Sequence, residues 1–130
     1  MRHYTKKRAA RNRSVAKFRR ELVAEVGHCE CCGHDPARVP FGSIAWRLDC
    51  HEISNGALRC KSLDQRYCLL VLCWMCNSEL MTDKATWPVS RQLSLLKASR
   101  PQDYNLAEYL RLRNPNAMMA ITEEEVEAWL

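Results

Sequence analysis

Two Cys-x-x-Cys pairs, Cys29/Cys32 and Cys73/Cys76, enclose the single string His51-Glu52-Ile53. Four thiolates at knuckle spacing close a tetrahedral zinc site, and that closure ties the two ends of the central segment together. The histidine then sits on the loop or hairpin that the metal holds shut. A chain of 130 residues leaves room for one domain with extensions, and a core of that size gains from a metal staple.

Eight cysteines also fit a disulfide framework, so the compartment matters. The stretch from Met1 to Arg20 is basic and has no apolar signal core, and the expectation is a reducing, cytoplasmic setting with metal thiolates. The longest apolar run, Cys68 to Cys76, is far too short to span a bilayer and carries two of the proposed ligands, so no membrane segment is expected. A thiol redox protein is a competing reading. It requires a Cys-x-x-Cys at a helix N-terminus with a depressed thiolate pKa and one exposed sulfur. Cys31, Cys50, Cys60 and Cys68 are left over and are read as buried thiols, with a second metal or a disulfide as the alternative.

Charge is unevenly spread. The first twenty residues hold nine of the 20 Lys and Arg and no acid, leaving 11 basic against 15 acidic side chains in the remainder. Arg2, Lys6, Lys7, Arg8, Arg11, Arg13, Lys17, Arg19 and Arg20 repel one another as a free arm, yet match a phosphate backbone. Without interleaved acids to form i,i+4 pairs, the run reads as a DNA contact rather than a solvated helix face. Lys6, Lys7, Arg8, Arg11, Arg13, Lys17, Arg19 and Arg20, with Arg59 and Arg66 further on, are the candidate nucleic-acid residues.

From Ser14, the residues Val15, Phe18, Leu22, Val23 and Val26 form one apolar stripe, and Gly27 supplies a left-handed cap, which predicts a helix delivering the chain into Cys29. Gly33 lets the first knuckle turn so that its amides face the sulfur atoms, with Cys31 pointing away. Ile44 to Ile53 alternates as a strand, ended by Ser54-Asn55-Gly56. Tyr67 to Leu72 predicts a second strand entering Cys73, and Asn77 to Met81 a short helix leaving it. Beyond, Trp87-Pro88 sets proline at a first helical position ahead of Val89, Leu93 and Leu96. Leu106, Tyr109 and Leu110 make another stripe before Asn114-Pro115, and Thr122 to Glu125 is a capping box before Val126. The expected class is α+β. Residues 1–26 form a basic arm and helix, 27–86 a zinc-bound core, and 87–130 a helical extension wrapped around it. Trp129 and Leu130 offer a surface for a second copy or another protein, and the sequence leaves that choice open.

The strings Asp49-Cys50-His51-Glu52-Ile53 and Leu70-Val71-Leu72-Cys73-Trp74-Met75-Cys76-Asn77 resemble those of the HNH nuclease family. Gly56, Arg59, Arg66-Tyr67-Cys68, Trp87-Pro88 and Arg91-Gln92-Leu93 are similar to a subgroup of phage HNH-type proteins. The resemblance implies a treble-clef-like ββα-metal finger holding structural Zn²⁺, a metal-dependent DNA endonuclease activity, a phage origin and hence a bacterial host cytosol. A homodimer or phage protein partner through the C-terminal helices goes with it. In the family one histidine of the string binds a divalent ion and the next residue is the general base. Keeping Ile53 in register makes His51 the ligand and Glu52 the base, with Asp49 completing the catalytic set. Asn77 stands where the family has a further histidine ligand, and its neutral oxygen suits Mg²⁺ or Mn²⁺.

Other readings stay open at this level. A shifted frame makes His51 the base and Asp49 or Cys50 the ligand; in a regular strand Asp49 and His51 share a face, whereas Cys50 takes the other. Glu52 is a weaker base than imidazole unless burial raises its pKa, which implies a slower nuclease. A rival from another class keeps the fold and loses the chemistry, giving a zinc-knuckle DNA-binding or adaptor protein in which Asn77 marks a decayed site.

Overall fold

The computed structural model describes residues 5–38, 47–53, 63–113 and 121–130. Helix α1 spans Lys6–Val26 and begins eight residues before the stripe at Ser14, because the Thr5 hydroxyl caps it by accepting from the Arg8 N–H at 3.2 Å. Much of the basic arm is therefore helix rather than free chain. Val15 and Leu22 are buried, and Gly27 ends the helix at φ 72°, where its N–H reaches the Val23 carbonyl.

After the first knuckle and a 3₁₀ turn at Pro36–Arg38, strand β1 spans Leu48–Glu52. Residues 44–46 of the expected strand lie outside the described residues. A second 3₁₀ turn, Arg66–Cys68, precedes β2 at Leu69–Cys73, so Tyr67 and Cys68 belong to a turn and not to the expected strand. The Cys68 N–H donates to the Gln65 carbonyl at 2.9 Å, and the ladder with β1 is continued by Ile53 N–H to the Cys68 carbonyl at 2.8 Å. The strands pair antiparallel, with Leu48 opposite Cys73, Cys50 opposite Val71, His51 opposite Leu70 and Glu52 opposite Leu69. Among the described residues they make a two-stranded sheet.

All five residues of β2 are buried, as an unbroken apolar run covered on both faces must be. Leu69 and Val71 pack under Leu22 of α1, whereas Leu70 and Leu72 join the main core with Leu80, Trp87, Leu93, Leu96, Leu106, Tyr109 and Val126. That core is supplied by helices α2 (Trp74–Thr82), α3 (Val89–Ser99), α4 (Leu106–Arg113) and α5 (Glu123–Glu127). Pro88 is the residue before α3 rather than its first, and Thr122 caps α5 by accepting from the Glu125 N–H at 3.2 Å. The mixed helix and sheet content is the α+β class expected. No helix among the described residues is long and apolar enough to cross a membrane.

One buried ion pair locks the layers together. Glu30, inside the first knuckle, accepts from the Val71 N–H at 2.7 Å and donates its own N–H to the Val71 carbonyl at 2.8 Å, docking the knuckle on the edge of β2 away from β1. Arg100, at the end of α3, closes on that carboxylate with Nε at 2.9 Å and Nη2 at 3.0 Å, and its Nη1 reaches Asp103 at 2.9 Å. Neither the Arg100 nor the Glu30 side chain is more than 5% exposed. A buried carboxylate in this position is tolerable because a backbone N–H and a forked guanidinium satisfy it together.

Candidate metal centre and the two faces of the first strand

The first knuckle folds because Gly33 adopts φ 79°, a left-handed backbone that only glycine takes without strain. The Gly33 N–H then donates to the Cys29 carbonyl at 2.9 Å, and the Cys29 N–H to the His34 carbonyl at 2.8 Å. The second knuckle straddles the strand-to-helix junction: Cys73 ends β2 and acts as N-cap of α2, its sulfur 3.5 Å from the Cys76 N–H. Helix α2 begins at Trp74, earlier than the expected Asn77, because that sulfur serves the first turn as a capping acceptor.

The four sulfurs of Cys29, Cys32, Cys73 and Cys76 lie within 4.8 Å of one another, and those of Cys32 and Cys73 are 3.8 Å apart. A tetrahedron with zinc–sulfur bonds of about 2.3 Å has edges near that length. Charge makes the same point. Burial and the neighbouring Cys29 charge push the Cys76 thiol far up, whereas Cys29, although burial opposes its ionisation, is lowered by backbone N–H groups of Cys32, Cys73 and Cys31. Negative charge on sulfurs held this close is stabilised by a cation placed among them. The group is thus positioned to hold a metal ion, and four soft ligands in a closed tetrahedron suit structural zinc.

The spare cysteines are free thiols among the described residues. Cys68 is buried and its thiol is pushed up to about 12 by burial alone. Cys31 stands outside the group of four, partly buried against the core, and burial raises its thiol pKa. Cys50 donates its S–H toward the Arg19 carbonyl at 3.5 Å. Cys60 lies outside the described residues, as does Arg59.

Residues directly opposite on paired strands share a face. Glu52 and Cys50 therefore follow Leu69 and Val71 toward α1, and His51 and Asp49 follow Leu70 and Leu72 toward the helical core. On the α1 face, Arg19 donates to the Glu52 carboxylate at 2.8 Å and to the Cys50 carbonyl. On the other, the His51 imidazole is half-buried with Nε2 2.9 Å from Gln92 Oε1 of α3. Burial lowers the His51 pKa, partly opposed by the Gln92 hydrogen bond, and the ring is neutral near pH 7. Asp49 is half-exposed and bonded to Arg47 at 3.2 Å. The adjacent residues His51 and Glu52 thus face opposite sides of the sheet, so the geometry does not bring the expected ligand and base to one point.

On α2, which packs against β1, the Asn77 Oδ1 atom is buried with no hydrogen-bond partner among the described residues. An orphaned buried carbonyl oxygen costs free energy unless something outside the protein satisfies it. The structure thus retains a hard oxygen donor at the position expected of a ligand. Among the described residues, the cysteine quartet is the single cluster of three or more His, Cys, Asp or Glu ligand atoms.

The candidate DNA residues divide in two. Arg11 pairs with Asp64, Arg19 with Glu52, and Arg66 with Glu25 and Asp103, so these three serve the fold. Lys6, Arg13, Lys17 and Arg20 fall on the outer face of α1, with Lys6, Arg13 and Arg20 seven residues apart; all are exposed, and Lys17 lies 3.9 Å from Glu21. Lys7 and Arg8 are also exposed near the start of the helix.

Glu30 and Arg100 carry no motif signal, and Gln92 stands in the Arg91-Gln92-Leu93 string without its role being legible there, although all three are buried and polar. Their partners lie 41 and 70 residues away, and no local pattern carries such a pairing. No protein-family model, curated protein or solved structure matches this chain.

Proposed function

We propose that this chain is a zinc-stapled ββα-metal protein of HNH type, phage-related, that binds DNA through the outer face of α1 and hydrolyses phosphodiesters at His51. The observations that support the reading are a neutral imidazole on β1 and an orphaned Asn77 oxygen on α2, the helix that packs against β1 and carries Cys76 of the cysteine group. One nitrogen and one neutral oxygen fit Mg²⁺ or Mn²⁺ that keeps several waters, with the phosphate completing its shell. A divalent ion so bound supplies charge neutralisation on the phosphate and the departing oxygen. His51 holds its lone pair near neutral pH because burial disfavours the imidazolium, and it serves as ligand or as acceptor of the proton from attacking water. Glu52, tied to Arg19 across the sheet, is given a structural role in this proposal instead of general-base duty.

The test is nicking of supercoiled plasmid with Mg²⁺, Mn²⁺, Ni²⁺ or Zn²⁺ supplied in turn, wild type against His51→Ala. Cleavage with at least one ion that His51→Ala loses by about 100-fold or more supports the reading. A second reading has its own observation, that the side chains of His51 and Glu52 are both engaged by protein partners. It is a DNA-binding adaptor with the same fold, and it takes over if no ion gives His51-dependent cleavage while zinc and DNA binding persist.

A further inference from the structure

The buried amide of Gln92 faces two groups of opposite demand. Its Nε2 donates to the Trp87 carbonyl at 3.0 Å, and its Oε1 lies 2.9 Å from His51 Nε2. A carbonyl can only accept, which fixes the amide: nitrogen toward Trp87, oxygen toward the imidazole. The imidazole must then donate through Nε2–H. A neutral ring with its proton on Nε2 carries its lone pair on Nδ1, and Nδ1 has no hydrogen-bond partner among the described residues. The amide cannot turn over to suit the other tautomer without setting its own oxygen against the Trp87 carbonyl.

The amide is also held rigidly. Gln92 is 5% exposed, in the second turn of α3 between Leu93 and the Trp87-Pro88 corner from which that helix starts. Arg91, one residue earlier, stacks on Trp87 with its guanidinium carbon 4.1 Å from the ring centroid and donates to the Thr86 carbonyl at 2.7 Å. The corner is thereby fixed from both sides.

We propose that Gln92 is a positioning residue that locks His51 in the Nε2–H tautomer, so that Nδ1 is the nitrogen offered to the ion or to water. The assignment to chemistry rests on the nuclease reading, whereas the tautomer itself does not. In the neutral histidine the two ring nitrogens then have separate tasks. Nε2 anchors the ring to the C-terminal extension, and Nδ1 works. Residues 87–130 in this account complete the site as well as cover the core.

The test uses the zinc-loaded full chain without a second ion. Long-range proton–nitrogen correlation spectra above pH 7 distinguish the two tautomers by which His51 nitrogen is pyridine-like. The wild-type ring is expected to show a pyridine-like Nδ1. Gln92→Met keeps the shape of the side chain but removes the acceptor, and the ring is expected to become a mixture. Gln92→Glu, whose protonated carboxyl can donate to Trp87 and accept from His51, is expected to restore the wild-type pattern. In plasmid nicking Gln92→Met is expected to lose about 10- to 100-fold in kcat with little change in KM, and Gln92→Glu to recover part of it. A wild-type ring protonated on Nδ1 overturns the lock even if the protein cleaves DNA, and so does a Gln92→Met spectrum identical to wild type. A tautomer that follows Gln92 in a protein that cleaves nothing sustains the lock and sinks the nuclease reading. Should Gln92→Met fail to fold, the wild-type spectrum alone still decides.

Discussion

The two faces of β1 differ in how completely the protein itself satisfies them. Toward α1, Arg19 ties the Glu52 carboxylate and the Cys50 carbonyl, and Cys50 turns its thiol to the Arg19 backbone. Toward the helical core, His51 is half-satisfied by Gln92, and the neighbouring helix α2 carries a buried oxygen with no hydrogen-bond partner among the described residues. A face closed by internal partners stabilises the fold; the incomplete one is where the proposed function seats an ion and substrate. Neighbours in sequence thus belong to different chemistry, because a strand turns successive side chains to opposite sides.

The clamp that sets both faces gives the largest expected effect. Cys73→Ser removes a ligand that is also the α2 cap, and stoichiometric zinc and the cooperative thermal transition should both be lost, as read by elemental analysis and circular dichroism. Arg100→Leu strands the Glu30 carboxylate in the interior and should cost about 3–5 kcal/mol in urea denaturation with zinc retained. A cost near zero would mean that water reaches Glu30.

The comparison itself is sharpened by treating the faces in parallel. His51→Ala should abolish metal-dependent nicking, whereas Glu52→Gln should leave it within a few-fold and cost about 1 kcal/mol of stability through the weakened Arg19 contact. Equal losses of activity would return Glu52 to the site. Replacing Lys6, Arg13 and Arg20 together by Gln should weaken duplex binding and make log Kd against log salt shallower by roughly 2 to 3, with folding unchanged. The smallest effect is in pH. Because the folded pKa of His51 lies below its unfolded value, the unfolded state takes up the proton first. Its contribution to stability is present above about pH 6.5 and falls as the pH drops below that. His51→Gln should flatten the change in urea midpoint between pH 8 and pH 5.5, and Glu52→Gln should not.

What could be read from the chain follows from how local each cause is. The cysteine spacing announces its own geometry, since two residues between ligands suit a tetrahedral ion, and Gly27 and Gly33 mark turns that need a left-handed backbone. The apolar stripe marks α1 only from Ser14, and the first turns, from Lys6, carry no apolar periodicity to announce them. The Thr5 cap and the pairing of Arg11 with Asp64 and Arg19 with Glu52 offset the repulsion among its cations, and those acids come from distant segments. The grouping of His51 with Glu52 is legible as a string but not as a site, because the partners that divide them sit on α1 and α3. Asn77 was read from its place after the second knuckle, and what the fold adds is that its oxygen has no partner among the described residues.

Central to all of this is one ion that ties the end of β2 and the start of α2 to the first knuckle. The most direct measurement is X-ray absorption at the zinc edge of protein purified without chelators. One zinc per chain with four sulfurs at about 2.3 Å is the expected result. A shell containing nitrogen or oxygen, or an unchanged four-sulfur shell in Cys73→Ser, would contradict it.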